Sequence, residues 1–164
     1  PMHYAFADFN VFSNFTEGNA RIQSGRNSLI VPWETGWSHT NNHTRYESDL
    51  LYERYFEPNT GLFAGMRLSN MSPGGNRPVA GAWYRLPYLF MATSEVDGKG
   101  ALRVALSKDL QITPRFNLEI RGRYDTRQHW EESVTASYTL TKRLALSTAY
   151  HSDFGLGAGM TFHF

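Results

Sequence analysis

The last fifty residues, Arg115 to Phe164, constrain this chain more than any other part. They read RFNLEIRGRYDT, HWEESVTASYTLT, LALSTAYHSD and FGLGAGMTFHF, and each run alternates with period two. That period sends successive side chains to opposite faces of an extended strand. Phe116, Leu118, Ile120, Gly122 and Tyr124 share one face of the first run, and Arg115, Asn117, Glu119, Arg121 and Arg123 the other. In the second, Trp130, Val134, Ala136, Tyr138 and Leu140 oppose Glu131, Ser133, Thr135, Ser137 and Thr139, with Glu132 the exception on the apolar side. The last sets Leu156, Ala158, Met160, Phe162 and Phe164 against Gly155, Gly157, Gly159, Thr161 and His163.

Alternation leaves two architectures. A soluble sandwich buries the apolar face, whereas a membrane barrel turns it to lipid. Length favours lipid: the runs are about ten to thirteen residues, where soluble strands have about five or six and a bilayer needs about 9–11. Tight turns at 113–115 and 141–143 alternate with more polar or glycine-bearing connections at 125–128 and 152–155. With the C-terminus on the tight-turn side, Phe116, Tyr138, Phe162 and Phe164 fall near that end, and Tyr124, Trp130 and Tyr150 near the other. Two aromatic girdles around an aliphatic band are what a transmembrane barrel carries at its water interfaces. The expected fold is an all-β, transmembrane, antiparallel up-and-down β-barrel, monomeric, with its short turns toward the periplasm. A soluble lipocalin-like barrel is the alternative, and it predicts extraction without detergent.

At 164 residues the chain reads as one domain, 1–164. Mean hydropathy is −0.46, and no run approaches the roughly 18 apolar residues of a membrane helix. That leaves a barrel untouched, because only alternate residues of its strands meet lipid. Sixteen basic against fifteen acidic residues give a net charge of +1 and no case for nucleic acid. Cysteine is absent, so no disulfide is used. No charged segment precedes an apolar run as in a signal peptide, so a mature form or a fragment is expected, as Pro1 implies.

Earlier segments follow the same logic. His3 to Phe12 is a strand with mixed faces, because Phe6 and Phe12 sit with the polar set. Thr16 to Asn27 is weakly patterned and predicts only a short strand near Ala20–Gln23. Ser28 to Thr40 carries Leu29, Val31, Trp33, Thr35 and Trp37 on one face, and Pro32 implies a ladder defect or bulge. A turn at 41–43 precedes Arg45 to Phe56, with Tyr46, Leu50, Tyr52 and Phe56 outward and Glu47, Asp49, Leu51, Glu53 and Tyr55 inward. Leu62, Ala64, Met66 and Leu68 form the next lipid face, and a loop at 72–76 follows. Val79 to Leu86 and Tyr88 to Val96 flank Pro87, and Ala101 to Thr113 completes the set. Periplasmic termini require an even number of strands, so about twelve are expected, with about ten the next choice.

The inferred interior holds Glu47, Asp49 and Glu53 on one strand and Arg103, Arg121 and Arg123 on others, with Glu119 and Glu131 between. Unpaired charge away from water is costly, so these groups are expected to fill a narrow lumen with ion pairs. The same walls can line a path that selects a small solute or ion by charge. No catalytic constellation stands out, and the expectation is a protein that is not an enzyme. A barrel enzyme acting on lipid or lipopolysaccharide would need a Ser or Asp beside a His near the interface. His39, His129 and His151 lie near the outer end with Ser38, Ser133 and Ser152, as any polar rim would supply. His39 and His43, in HTNNH, have a spacing suited to a two-ligand grip on a soft or borderline metal in a loop. No other cofactor is implied.

The order of features resembles the outer-membrane copper-resistance protein B family, and the barrel region fused to some multicopper oxidases. The residues that carry the resemblance are MHYAFADFNVF at 2–12, WETGW at 33–37, RYESDLLYERYFEPNTGLFAGMRLSN at 45–70 and LTKRLALSTAYHSDFGLGAGMTFHF at 140–164. It implies an outer-membrane protein of a Gram-negative bacterium, a channel or scaffold connected with copper tolerance. A periplasmic copper protein or other envelope subunits would be its partners. Those proteins place a His- and Met-rich segment before the barrel, which would make the present residues the anchor or channel. A strand ending in Phe164 also resembles the terminal signal read by the barrel assembly machinery. Lipid bilayer and lipopolysaccharide are the implied surroundings.

Overall fold

The computed structural model describes residues 2–37, 44–70, 75–127 and 129–164. Twelve strands follow in chain order: β1 His3–Phe12, β2 Phe15–Ser24, β3 Asn27–Trp37, β4 Thr44–Glu57, β5 Thr60–Ser69, β6 Arg77–Arg85, β7 Phe90–Asp97, β8 Leu102–Gln111, β9 Phe116–Asp125, β10 His129–Thr141, β11 Leu144–His151 and β12 Gly155–His163. Each pairs antiparallel with its chain neighbours, and β1 pairs with β12 to close the barrel. The expected architecture is present, with twelve strands rather than ten.

Closure leaves no exposed edge, so every strand can satisfy its backbone donors and acceptors inside lipid. The seam runs from Asp8 opposite His163 to Phe12 opposite Gly159. Backbone hydrogen bonds of 3.0 and 2.8 Å between Ala7 and Phe164 extend it to the last residue. A Cβ at Gly159 would lie 1.6 Å from the Val11 carbonyl oxygen, so the seam closes only around glycine there.

At the end that carries both termini, the connections span two to four residues: 25–26, 58–59, 86–89, 112–115 and 142–143. Those at the opposite end reach seven residues, at 70–76. Leu50, Leu62, Met66, Leu68, Val104, Leu106, Ile120, Leu146 and Met160 form an exposed aliphatic waist. Alternate residues of the same strands point into the lumen, as the period-two pattern requires.

Three segments differ from expectation. Instead of a short strand near Ala20–Gln23, β2 is ten residues long and fully paired on both sides. Its outward residues Thr16, Gly18 and Ala20 are small, which hides the alternation, and the Trp33 ring and the Phe9 Cβ cover Gly18 instead. The second change is at β7, which starts at Phe90 and not Tyr88, because Pro87–Leu89 forms a single 3-10 turn. Tyr88 and Leu89 there hold φ of 62° and 63°, outside any strand geometry. The third is the strand expected over Ala101 to Thr113, which runs only from Leu102 to Gln111. At Pro32 the β3–β4 ladder is interrupted between Ile30 and Trp33 without a change of register, as expected: the defect of the two alternatives and not the bulge. Residues 38–40, the turn at 41–43 and the loop segment 72–74 lie outside the described residues.

Candidate functional site in the charged lumen

Inward positions of β4 to β9 meet in a buried ionic layer. Arg67 binds Asp49 through two hydrogen bonds of 2.8 and 2.7 Å and reaches Glu95 at 2.6 Å. Arg103 contacts Asp125 at 2.9 Å and Glu47 at 2.5 and 3.2 Å. Strands β5, β6 and β7 intervene between Glu47 and Arg103, so this pair spans the lumen itself. Arg67 and Arg103 are only 3% and 6% exposed, so each guanidinium depends on these carboxylates for solvation. Their planar forks suit two-point binding of carboxylates.

A second layer forms from β9. Arg121 contacts Glu119 at 2.6 Å and reaches Glu17 on β2 at 3.5 Å. Arg123 contacts Glu131 on β10 and lies 3.9 Å from Glu34 on β3. Nearer the termini, Glu53 accepts hydrogen bonds from Arg21 at 2.8 Å and from the Trp83 indole at 2.9 Å. All eight residues expected to line the lumen therefore point into it, and seven of them border one cavity of about 1330 Å³. Glu131 borders a pocket of about 10 Å³ beside His151, room for about one water.

The large cavity reaches the terminus-bearing end through Asp8, Arg85, Gln111, Thr139 and His163. Nine carboxylates and six arginines line it, an excess of three negative charges. At the other end the inward rings of Phe12, Phe15 and Phe154 pack with His151, with centroids 4.6 to 5.6 Å apart. Asn14 donates to the Phe154 carbonyl at 2.6 Å and ties this plug across the seam.

Arg21, Glu34, Arg67, Glu95 and Asp125 belong to the lumen but escaped the sequence reading. Inward positions of β5 mix Arg67 with Gly61, Phe63 and Gly65, so no polar stripe announces it. Parity was the available signal for three of them: Asp125 shares a face with Arg123, and Glu34 and Arg67 alternate with the apolar faces of Trp33 and Met66. All seven girdle residues point outward: Phe116, Tyr138, Phe162 and Phe164 at the terminus-bearing end, and Tyr124, Trp130 and Tyr150 at the other. Tyr52, Phe56 and Tyr84 join the first girdle, and Trp37 and Tyr46 the second.

His39 and His43 lie outside the described residues. Elsewhere, Glu34, Glu131 and His151 bring potential ligand atoms within 4.8 Å of one another. Their surroundings do not fit a metal. Arg123 already contacts both carboxylates, and the Asp153 backbone N–H donates to His151 Nδ1 at 3.1 Å. Nε2 then carries the imidazole proton and turns it toward Glu34, 3.7 Å away. Among the described residues no serine hydroxyl bonds to His129 or His151; Ser152 Oγ instead accepts from the Glu132 backbone.

No family model and no curated protein matches the chain. Solved structures do. The KdgM porin is similar over 99% of both chains, at 10% identity and a TM-score of 0.55. A membrane protein from a study of in-meso crystallisation gives 14% identity and 0.55, over 98% of this chain and 83% of that one. A mutant of the Rh. blastica porin gives 12% and 0.50, with this chain spanning 92% of its own length but 56% of the porin's. What these proteins share with the chain is the fold. It is a closed, porin-like β-barrel.

Proposed function

We propose that this barrel is an outer-membrane channel for small cations, held nearly shut by ion pairs that cross its lumen. The observation that carries the reading is the Glu47–Arg103 pair, which bridges β4 and β8 at the floor of the 1330 Å³ cavity. A cavity with three excess carboxylates concentrates cations and repels anions. The KdgM porin has been solved with oligogalacturonate, whose sugar units carry carboxylates; the acidic lumen here favours the opposite sign. Single-channel recording in planar bilayers tests the reading. The Glu47→Ala/Arg103→Ala pair, which removes the bridge at constant net charge, is expected to conduct severalfold more than wild type. Two silent barrels would leave a scaffold in place of a channel.

Copper is the second reading. It rests on the sequence resemblance and on the acid excess of the cavity, which suits a divalent cation. Copper tolerance and cell-associated copper in the source bacterium, with and without the chain, decide it. Equal values in both strains remove copper.

A further inference from the structure

Pairing of basic residues divides the molecule by height. In the lumen, Arg21, Arg67, Arg77, Arg103, Arg121 and Arg123 each have a carboxylate partner. At the loop end Arg45 meets Asp153 at 3.9 Å and Arg127 meets Asp97 at 3.4 Å. The terminus-bearing end is different. Arg26, Arg54, Lys108, Arg115, Lys142 and Arg143 lie there without lining the cavity, and none has an ion-pair partner among the described residues. Glu57 is the one acid beside them outside the lumen, among the described residues. At the loop end, by contrast, Arg45 and Lys99 are matched by Glu132 and Asp153.

Position adds to charge. The six cations sit in the connections at 25–26, 112–115 and 142–143 or in the last turns' worth of β4 and β8. The outward rings of Tyr52, Phe56, Tyr84, Tyr138 and Phe164 mark the same level as the membrane interface. Lys108 is pinned at that level, with its ammonium 4.5 Å over the Phe90 ring. The cations spread over separate connections around the barrel, so they do not converge on one anion. A ring of separate anions at headgroup depth satisfies them.

We propose that the terminus-bearing rim is a binding collar for the phosphodiester headgroups of anionic phospholipids. The proposal rests on the outer-membrane reading of the fold, in which short turns face the periplasmic leaflet. Guanidinium and ammonium groups give phosphate oxygens charge-assisted hydrogen bonds. The attraction decays over a Debye length of about 10 Å at 0.1 M salt, so it is salt-sensitive. The loop-end rim, whose outward charges balance, offers no comparable collar.

The test uses the full barrel in nanodiscs of phosphatidylcholine with a minority of phosphatidylglycerol, and native mass spectrometry of the lipids it retains. Wild type is expected to enrich phosphatidylglycerol severalfold over its bulk fraction at low salt and to lose the enrichment at high salt. Lys108→Gln/Arg115→Gln/Lys142→Gln/Arg143→Gln should abolish it, and Arg45→Gln/Lys99→Gln at the opposite rim should leave it intact. Retention at the bulk ratio, or enrichment that survives the four substitutions, overturns the proposal. Displacement of the lipid by millimolar inorganic phosphate also overturns it, assigning the rim to free anions. If the fourfold variant does not fold, the salt titration of wild type decides alone. Insertion into pure phosphatidylcholine discs keeps the membrane reading separate, because it succeeds whether or not the collar selects lipid.

Discussion

Arg103 shows how much a single side chain holds in this lumen. It is buried between Glu47 and Asp125 and lies 3.5 Å from Glu95. Arg103→Ala strands these carboxylates in a layer where their hydration is already lost, an expected cost of about 3–5 kcal/mol. Glu47→Ala in the same background removes one stranded charge, so the double variant should be more stable than the sum of the single losses. Urea unfolding of the barrel in phospholipid measures both; additive losses would mean that the pair is not coupled. Asp153, in the connection between β11 and β12, gives the pH prediction. Burial, followed by the facing Glu131, pushes its carboxyl up to about 6 from an ordinary 3.8. A folded-state value above the unfolded one means that the fold prefers the protonated acid. Its stabilising share is full below about pH 4 and is lost as pH rises through about 6. Wild type should therefore lose stability relative to Asp153→Asn across that window, and parallel pH profiles for the two proteins would contradict the assignment.

At the scale of strands, the seam is where the barrel is easiest to open. The β1–β12 ladder covers only residues 8–12 of β1, whereas β1–β2 covers residues 3–11. Removing Phe164 deletes its two backbone bonds to Ala7 and its stacking on Phe9 at 5.8 Å. Hydrogen bonds of this kind contribute about 1 kcal/mol each, so the truncated barrel should unfold at lower temperature on heat-modified gel electrophoresis. Gly159→Val should prevent closure altogether, because no rotamer moves a Cβ away from the Val11 carbonyl. An unchanged gel shift would place the stability elsewhere. The same strands show what sequence can reveal. Where one face is aliphatic and the other charged, as in β4 and β9, parity alone places Glu47 and Arg121 inside. In β2 the lipid-facing Thr16, Gly18 and Ala20 are small and Gly18 is covered by the Trp33 ring of β3, so the cue sits on a neighbouring strand. Charge pairing was legible as acids and bases on inward faces of different strands, but not as partners. That Glu47 meets Arg103, fifty-six residues away, depends on barrel circumference and strand stagger, which no local pattern encodes.

The whole molecule separates charge in a way its near-neutral total conceals. A net charge of +1 is distributed as an acidic lumen, a balanced loop rim and a basic terminus-bearing rim. The low-dielectric wall focuses the field of the lumen carboxylates along the axis, where an ion would lie within a Debye length of them. In the proposed channel the basic rim lies outside that path, so the lumen is expected to set selectivity. Reversal potentials under a potassium chloride gradient, measured on the more conductive Glu47→Ala/Arg103→Ala barrel, should show preference for potassium. This variant keeps the acid excess of three, because it removes one charge of each sign. Preference should sharpen as salt falls, since screening weakens with it. Asp109→Asn/Glu119→Gln removes two charges from the open part of the cavity and should bring the reversal potential most of the way to zero. A chloride preference in the parent barrel would show that the rim arginines, and not the lumen acids, control passage.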